Sequence, residues 1–325
     1  MRRQGTLQGR FIRPSVFPHS KQGKADNVYI HPMAIVSPKA KIGRDVQIGP
    51  FCVIEDDVVI GDGCILESRV TIKNGTTMGR SNHIFEGTVI GGLPQCTGID
   101  EVNSRVNIGS GNVIRENVTI HRSMNEGDAT EMGDDCMLMV NVHIAHDCHV
   151  ADGVIMANNV MLAGHVSVGA RANISGAVGI HQYCRIGALA MVGGQAHIVK
   201  DVPPFVTVDG VTSQVVGLNL VGLRRAKYTT EERKILKGVY KILYSKDLPW
   251  CEIVKKIEEQ YTSGPGLEMA NFISSTTRGI ITARHSGSRI RGKAEIQTKE
   301  NEAQEGQETE GMPATIRLHV VGEEG

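Results

Sequence analysis

The sequence has few aromatic residues, no net charge and no long apolar run. Phe, Trp and Tyr make up 4% of the 325 residues, whereas 38 residues are glycine. This balance disfavours an ordinary α/β enzyme and indicates a chain built from small side chains and turns. Lys and Arg equal Asp and Glu at 35 each, so no global field favours nucleic acid. No apolar run approaches the ~18 residues of a membrane span, and we expect no stable membrane insertion.

Residues 1–27 form a basic N-terminal extension that contains Arg2, Arg3, Arg10 and Arg13. The segment lacks the apolar core of a secretory signal peptide. An organelle transit peptide is also rich in Arg and poor in acidic residues. That alternative stays open beside our interpretation of a loose tail.

From residue 28 to residue 208, an aliphatic residue or Met recurs at a period of six. The series comprises Ile30, Val36, Ile42, Ile48, Ile54, Ile60, Leu66, Ile72, Met78, Ile84, Ile90, Ile108, Ile114, Ile120, Met132, Leu138, Ile144, Val150, Met156, Leu162, Val168, Ile174, Ile180, Ile186, Val192 and Ile198. Such self-similarity predicts an all-β solenoid in which each hexad is one short strand and one turn. Three hexads make a triangular coil of eighteen residues, and stacked coils pair in parallel about 4.7–4.9 Å apart.

Two further positions of the hexad are restricted. Gly often follows the aliphatic residue, which we attribute to turn geometries that a Cβ resists. A small residue stands four positions after the aliphatic, and both should point inward. Five cysteines occupy that small position, where a thiol acts as a small hydrophobe: Cys52, Cys64, Cys136, Cys148 and Cys184. With no C-x-x-C, we expect no disulfide, no cysteine metal site and a reducing compartment, the cytoplasm.

Two segments interrupt the hexads, Gly92–Asn107 and His121–Glu131, and we predict loops thrown outward from an intact helix. Such excursions are where binding groups are expected.

After residue 208 the pattern changes, and residues 209–284 predict a small C-terminal α-helical domain. The predicted helices are Tyr228–Tyr244, with Thr229 or Thr230 as N-cap, then Leu248–Tyr261 and Leu267–Thr277, the last two separated by Gly264–Pro265–Gly266. Residues 285–325, rich in Glu, Gln, Gly and Lys, are predicted to be disordered.

Histidines cluster in the middle coils. His146, Gly164 and Gln182 are eighteen residues apart, so they should stack in one column on successive coils, beside other imidazoles. A general base next to a backbone N–H one rung away suits acyl transfer to a hydroxyl, since the base takes the proton and the donor stabilises the oxyanion. That chemistry requires no metal or cofactor. The alternatives are polar residues at coil corners and a Zn²⁺ site, because imidazole is a common zinc ligand.

The hexad pattern resembles the hexapeptide-repeat transferases, whose parallel β-helix is left-handed. Longer motifs resemble one branch, the UDP-N-acetylglucosamine O-acyltransferases, over about residues 28–284. The segments are His31-Pro-x-Ala-Ile35, Ile120-His-Arg122, His143-Ile-Ala-His-Asp-Cys148, Ala157-Asn-Asn159, Leu162-Ala-Gly-His-Val166, His181-Gln182, Asp201-Val-Pro-Pro204, Asn219-x-x-Gly-Leu-Arg-Arg225 and Ser275-Thr-Thr-Arg-Gly279.

The resemblance implies direct transfer of a (3-hydroxy)acyl chain from acyl carrier protein to the 3-hydroxyl of UDP-N-acetylglucosamine, the first step of lipid A synthesis, in a homotrimer. It makes His146 the general base and the Gly164 N–H the oxyanion donor, and Gly194 sets acyl-chain length. Asp147 can orient His146 only if the corner turns the two side chains together. The implied substrate contacts are His143, Asp147, His165, His181, Gln182, Asn219 and Arg225.

The chain departs from the family at three positions. Cys96 and Gly98 stand where the family often has an Asp-x-Lys pair, and Val221 replaces an expected Glu. A 3-amino UDP-sugar acceptor therefore stays open. The rivals are an N-acyltransferase of the same pathway, which carries a nucleotide-binding domain before its coils, a non-catalytic scaffold, and a metal-dependent hydratase of carbonic anhydrase type.

Overall fold

A computed structural model describes residues 27–98, 102–245 and 247–284. The predicted disordered tail and all but one residue of the predicted basic extension lie outside these ranges. The described residues form a left-handed parallel β-helix followed by a small helical region, which confirms the predicted fold class. Every strand is only two to four residues long, because each hexad gives most of its length to a corner.

Three sheets form the sides of the triangular coils. The first sheet contains Tyr29–Ile30, Gln47–Ile48, Ile65–Leu66, His83–Ile84, Val113–Ile114, Met137–Leu138, Ile155–Met156, Asn173–Ile174, Met191–Val192, Val206–Val208 and Val215–Leu218. The second contains Ile35–Val36, Val53–Ile54, Thr71–Ile72, Val89–Gly92, Thr119–His121, His143–Ile144, Met161–Leu162, Gly179–Ile180 and His197–Ile198. The third contains Lys41–Ile42, Val59–Ile60, Thr76–Met78, Arg105–Ile108, Ala129–Met132, His149–Val150, Ser167–Val168 and Arg185–Ile186.

Pairing is parallel except at the last step, where Val215–Leu218 runs antiparallel to Val206–Val208. Most coils advance eighteen residues, as between Gln47 and Ile65. One coil takes 30 residues, from His83 to Val113, and the next takes 24, from Val113 to Met137. The two extra lengths are the predicted outward loops, and the register resumes after each of them.

The loops are shorter than predicted. The strands that flank the first loop end at Gly92 and begin again at Arg105, and those that flank the second end at His121 and begin again at Ala129. The flanking strands therefore continue further into the predicted loop segments. Arg105–Ile108 pairs with Ala129–Met132 along its whole length, and this ladder holds the C-terminal ends of both loops.

The interior follows the predicted pattern. From Val46 onward the repeated aliphatic residues are buried in one continuous core, and the five predicted cysteines are buried within it, whereas Ile30 in the first coil is 42% exposed. Burial raises the pKa of the Cys136 thiol to about 11 and that of Cys148 to about 12. Each fully buried aliphatic side chain contributes roughly 1.5–3 kcal/mol, so repetition of the inward positions stabilises the stack.

The reason predicted for the glycines was wrong. The glycine that follows the aliphatic residue generally lacks a positive φ, and the left-handed corner positions are taken instead by residues such as Asp57 and Asn141. A Cβ at Gly61 would lie 2.6 Å from the carbonyl oxygen of Gly79 on the next coil. Close approach of successive coils, rather than turn conformation, therefore selects glycine there.

The described helices are α1 (Leu220–Arg225), α2 (Thr230–Leu243), α3 (Trp250–Gln260) and α4 (Gly264–Ser274). Thr229 caps α2 in a reciprocal capping box with Glu232, which confirms the predicted N-terminus. Helix α1 was not predicted. Helix α4 begins at Gly264, inside the segment predicted to separate helices, because proline is tolerated in a first helical turn. No helix in the described ranges is long and apolar enough to cross a membrane.

Candidate active site

The predicted histidine column lies at the corner that follows the second sheet. His146, Gly164 and Gln182 occupy the same place on three successive coils. The N–H of His165 donates to the carbonyl oxygen of His146 at 3.1 Å, and the N–H of Tyr183 donates to that of Gly164 at 3.1 Å. These bonds tie adjacent rungs together, so the coil stack itself fixes the spacing between the column residues.

His146 packs its ring on the backbone of Gly164. A Cβ at Gly164 would lie 2.6 Å from Nε2 of His146, which is inside van der Waals contact. Any side chain at this position would therefore displace the imidazole. Among the described residues, no acceptor pairs with the N–H of Gly164, so a donor stands available beside the ring.

Asp147 orients the His146 ring, because the corner turns the two neighbouring side chains together. Asp147 has φ of 58°, a conformation that Asp adopts more readily than most residues. Its Oδ2 lies 2.7 Å from His146 Nδ1, and the two side chains are only 8% and 12% exposed. A bond from Nδ1–H to a carboxylate places the proton on Nδ1, which leaves the Nε2 lone pair free to accept a proton.

The carboxylate of Asp147 is stabilised in its charged form. Burial alone would raise the pKa of Asp147, but hydrogen bonds from the Ser123 hydroxyl, His146 and the Met124 N–H outweigh it and lower that pKa. The Asp147 N–H in turn donates to Thr130 Oγ1 at 2.8 Å. The residue that holds the imidazole is therefore itself held by the preceding coil and the second loop.

Two further imidazoles lie next to His146. His143 shares a 2.7 Å hydrogen bond between its Nδ1 and Thr119 Oγ1. His121 meets His143 edge to face, with ring centroids 4.9 Å apart. Burial, followed by the neighbouring imidazoles, lowers the pKa of His121 to about 4, and burial likewise lowers the pKa of His143. Both rings are therefore neutral at physiological pH.

The other predicted column neighbours line the outer surface of the same corner. His165 meets His146 edge to face at 5.1 Å and stacks in parallel on Tyr183 at 4.5 Å. His181 and Gln182 are exposed, and His181 Nδ1 lies 3.2 Å from the Gln182 carbonyl oxygen. The corner thus presents the stacked rings of His165 and Tyr183 and two exposed polar side chains next to His146.

The first loop returns to this corner through Cys96. Its Sγ lies 3.4 Å from Nε2 of His146, on the ring edge opposite Asp147. Cys96 is exposed, so a thiol faces both solvent and the candidate base.

Three predicted residues lie elsewhere in the chain. The Asn219 side chain caps α1 through Gly222 N–H and donates to the Leu189 carbonyl oxygen at 2.8 Å, at the corner after the third sheet. Arg225 is exposed at the end of α1. Gly194 lies at the corner after the first sheet. In the described part of the chain, none of the three makes a hydrogen bond or ion pair with the histidine column.

This arrangement can perform proton abstraction next to an oxyanion donor. The candidate base His146 has an unprotonated Nε2, an orienting carboxylate and an adjacent backbone N–H, which are the parts that acyl transfer requires. Donor atoms of His146, Asp147 and His165 also lie within 4.8 Å of one another. That spacing keeps the Zn²⁺ alternative open to a direct test.

Sequence reasoning assigned no place in the site to Ser123 and Tyr183, quoted His121 only as part of a family motif, and did not place Cys96 beside the candidate base. Ser123 precedes Asp147 by 24 residues, the length of the extended coil, so counting the loop into the coil would have found it. Tyr183 is eighteen residues beyond His165 and was available from the same arithmetic. The contact of Cys96 depends on the conformation of a loop and carries no periodic signal.

Two family models match this chain. The model described as domain 2 of UDP N-acetylglucosamine O-acyltransferase matches residues 201–281. The model described as bacterial transferase hexapeptide, six repeats, matches residues 39–74 and 129–164.

Curated relatives named acyl-[acyl-carrier-protein]–UDP-N-acetylglucosamine O-acyltransferase also match this chain. The protein from Halorhodospira halophila is 39% identical over 254 residues, which is 78% of this chain and 98% of that protein. The protein from Synechocystis is 42% identical over 179 residues, which is 55% of this chain and 65% of that protein.

Solved structures show the same architecture. UDP-N-acetylglucosamine acyltransferase of Francisella novicida matches with a TM-score of 0.76 and 39% identity, over 80% of this chain and 96% of that one. The Arabidopsis UDP-N-acetylglucosamine acyltransferase matches with a TM-score of 0.68 and 32% identity, over 78% of this chain and 100% of that one.

Proposed function

The chain belongs to the UDP-N-acetylglucosamine O-acyltransferase family, and we propose that it transfers a (3-hydroxy)acyl chain from acyl carrier protein to the 3-hydroxyl of UDP-N-acetylglucosamine, the first step of lipid A synthesis. It is an acyltransferase. The relatives are named for this donor and this acceptor, and they span both the coils and the helices of the chain. The buried free cysteines support a reducing compartment, and the proposal places the enzyme in the cytoplasm.

His146 acts as the general base in this proposal. With its proton held on Nδ1 by Asp147, the imidazole accepts the proton of the attacking hydroxyl at Nε2. The oxygen then attacks the thioester carbonyl carbon and forms the ester C–O bond. The C–S bond breaks, and the departing sulfur takes the proton from His146 Nε2 and leaves as the carrier thiol. No covalent intermediate with the enzyme forms in this route. The observation that carries the proposal is the His146 ring, oriented by Asp147 and seated on Gly164.

The Gly164 N–H stabilises the oxyanion that develops on the thioester carbonyl. It lies on the coil next to His146 and donates to no acceptor in the described part of the chain. Removing one such donor typically costs about 10²–10³ in rate. The donor is a backbone group, so residue 164 contributes no side chain to the reaction. Glycine is required there because a Cβ would displace the His146 ring.

In this proposal the remaining substrate contacts come from two sources, the corner around His146 and the neighbouring subunit of a homotrimer. His143, His165, His181 and Gln182 surround the base and would position the sugar and the acyl donor. Asn219, Arg225 and Gly194 lie at other corners of the same chain. A homotrimer, with clefts between neighbours, would bring them to the column of an adjacent subunit, where Asn219 and Arg225 contact the nucleotide and Gly194 leaves room for a long acyl chain.

The 3-hydroxyl acceptor has an amine as its alternative, because the first loop and helix α1 depart from the family pattern. Cys96 lies at the base rather than a carboxylate, Gly98 carries no charge, and Val221 is exposed on α1. A hydroxyl and an amine acceptor need the same base, so the residues present are compatible with both.

One assay tests the function and separates the acceptors. Purified protein is incubated with acyl carrier proteins loaded with 3-hydroxyacyl chains and with either UDP-N-acetylglucosamine or its 3-amino analogue, and the acylated sugar is measured. Preferential acylation of UDP-N-acetylglucosamine supports the proposal. Preference for the amine would reassign the acceptor, and absence of product with both would overturn the function.

The hydratase rival rests on the three donor atoms of His146, Asp147 and His165. It requires bound Zn²⁺ in the purified protein, lost together with activity after His165→Ala. We expect sub-stoichiometric metal and acyl transfer that is insensitive to a chelator. Elemental analysis of the protein before and after chelation decides between the two.

A further inference from the structure

We propose that Cys96 is a base-activated thiol, a covalent modification site at which soft carbon electrophiles react and block the acyltransferase site. The proposal rests on the proposed function only for its second part, the loss of acyl transfer. Its first part, the reactivity of the thiol, rests on the contact between Cys96 and His146.

Nucleophile, base and orienting carboxylate are arranged in sequence. Cys96 Sγ lies 3.4 Å from His146 Nε2, and His146 Nδ1 lies 2.7 Å from Asp147 Oδ2. This is the order of groups by which thiols are activated in enzymes, with the base oriented by a third group. Because Nδ1–H is held by the carboxylate, the free Nε2 lone pair faces the thiol.

The other cysteines are poor competitors. Five are buried in the coils, and burial raises the pKa of each, to about 11 for Cys136 and Cys184 and about 12 for Cys148. A thiol kept protonated and enclosed does not attack an electrophile. Cys251 is exposed on α3, and no histidine contacts it among the described residues, which makes it the matched control.

The reaction balances with iodoacetamide as the electrophile. The Cys96 sulfur attacks the methylene carbon, a C–S bond forms, the C–I bond breaks and iodide leaves. The thiol proton passes to His146 Nε2 and then to solvent. The added amide group occupies the space in front of Nε2, where an acceptor hydroxyl has to approach the base.

The two imidazoles that lie next to His146, those of His121 and His143, are uncharged. His121, which is 8% exposed and has an unpaired Nδ1 among the described residues, and His143 are both neutral near physiological pH. These two imidazoles therefore add no positive charge beside the imidazolium that forms at His146 as the thiol reacts, and that imidazolium faces the Asp147 carboxylate.

The test is a labelling time course on the full chain with iodoacetamide, with each cysteine quantified by peptide mass spectrometry. We expect Cys96 to react at least about tenfold faster than Cys251, as activation by a positioned base implies. His146→Ala should bring the Cys96 rate close to that of Cys251. His149→Ala, which removes an exposed histidine paired with Glu131, should leave the ratio unchanged.

Activity is followed on the same samples. Acyl transfer should fall in proportion to Cys96 labelling, whereas Cys96→Ser should keep its own untreated rate after exposure to the reagent. Equal rates at Cys96 and Cys251, or a Cys96 rate that survives His146→Ala, would overturn the proposal, and so would full activity of protein labelled only at Cys96. A protein without acyltransferase activity that still shows the fast, His146-dependent labelling would instead contradict the proposed function alone.

Discussion

The inward positions and the corner positions of the same coils serve different purposes. Ile144 and His146 are two residues apart, yet Ile144 lies fully inside the prism and His146 lies on the corner with its ring on Gly164. Inward residues are interchangeable members of a series, and each contributes through burial. Corner residues are individual, and each contributes through a particular partner. Stability and chemistry therefore reside on alternate positions of one repeat and should respond to different substitutions.

The largest expected effect on stability lies inside the prism, far from the histidine column. Ile60 is fully buried, so Ile60→Ala should lower the free energy of unfolding by about 2–5 kcal/mol through lost burial and the cavity left behind. The turnover number of the folded fraction should hold. Denaturant unfolding and acyl-transfer kinetics measure the two quantities.

Ile35→Ala is the control, because Ile35 is the same residue type on a neighbouring sheet but 69% exposed. Its effect on unfolding should stay within about 0.5 kcal/mol. Comparable losses for both variants would show that inward and outward positions contribute equally to stability.

A single methyl group at the corner should disturb chemistry without disturbing stability to the same extent. Gly164→Ala places a Cβ 2.6 Å from His146 Nε2, so the ring has to move. Misplacing a catalytic group by about 1 Å can cost about 10²-fold in rate, and we expect a loss of that size in kcat. Gly179→Ala adds the same methyl in open space and should retain activity. Equal activity of the two variants would show that the ring position does not matter.

His121 combines both kinds of position, because it lies beside the candidate site yet is buried, with 8% exposure. Its folded pKa of about 4 lies below the unfolded value of about 6.5. The unfolded state therefore gains protons first as pH falls, and stability drops from about pH 6.5 downward. From this group alone we expect unfolding to be about 2 kcal/mol easier at pH 5 than at pH 7.

His121→Gln should remove that part of the acid sensitivity, and His149→Gln, at an exposed position, should not. Denaturant unfolding of the three proteins at both pH values measures it. An unchanged pH dependence in His121→Gln would mean that His121 titrates normally in the folded state.

The smallest effect concerns specificity. A Cβ at Gly194 would meet its nearest neighbour, the carbonyl oxygen of Gly176, at 3.3 Å, so a side chain fits with a small adjustment. Gly194→Met should shift preference towards shorter acyl donors while total activity with the best donor stays similar. Relative rates across a series of chain lengths measure the shift. An unchanged profile would place the acyl groove elsewhere.

The predictability of the molecule follows the same division. Period six located the strands, the core and the buried cysteines because every coil repeats the same physical requirement. Period eighteen located the His146, Gly164 and Gln182 column because the coils between them are unbroken. The eighteen-residue count failed where the loops lengthen two coils. In the coil that contains the second loop, Ser123 contacts Asp147, and Thr119 pairs with His143, at a separation of 24 residues, so the count of eighteen did not place Ser123 or the neighbouring His121 in the site.

Other features lacked a periodic signal. Helix α1 has six residues, too few for helical periodicity to emerge, and only its Asn219 cap marks it. The Cys96 contact depends on how one loop folds back on the coils. The hexad repeat likewise carries no information about which surfaces of one subunit contact another subunit.

The most direct test of the account measures kcat and thermal unfolding on one preparation of His146→Ala. A positioned general base contributes about 10²–10⁴ in rate, so kcat should fall by that factor. The unfolding temperature should stay near that of the parent, because the coils are held by the inward residues. Near-full kcat in the folded variant, or a loss of activity that only follows a loss of folded protein, would contradict the account.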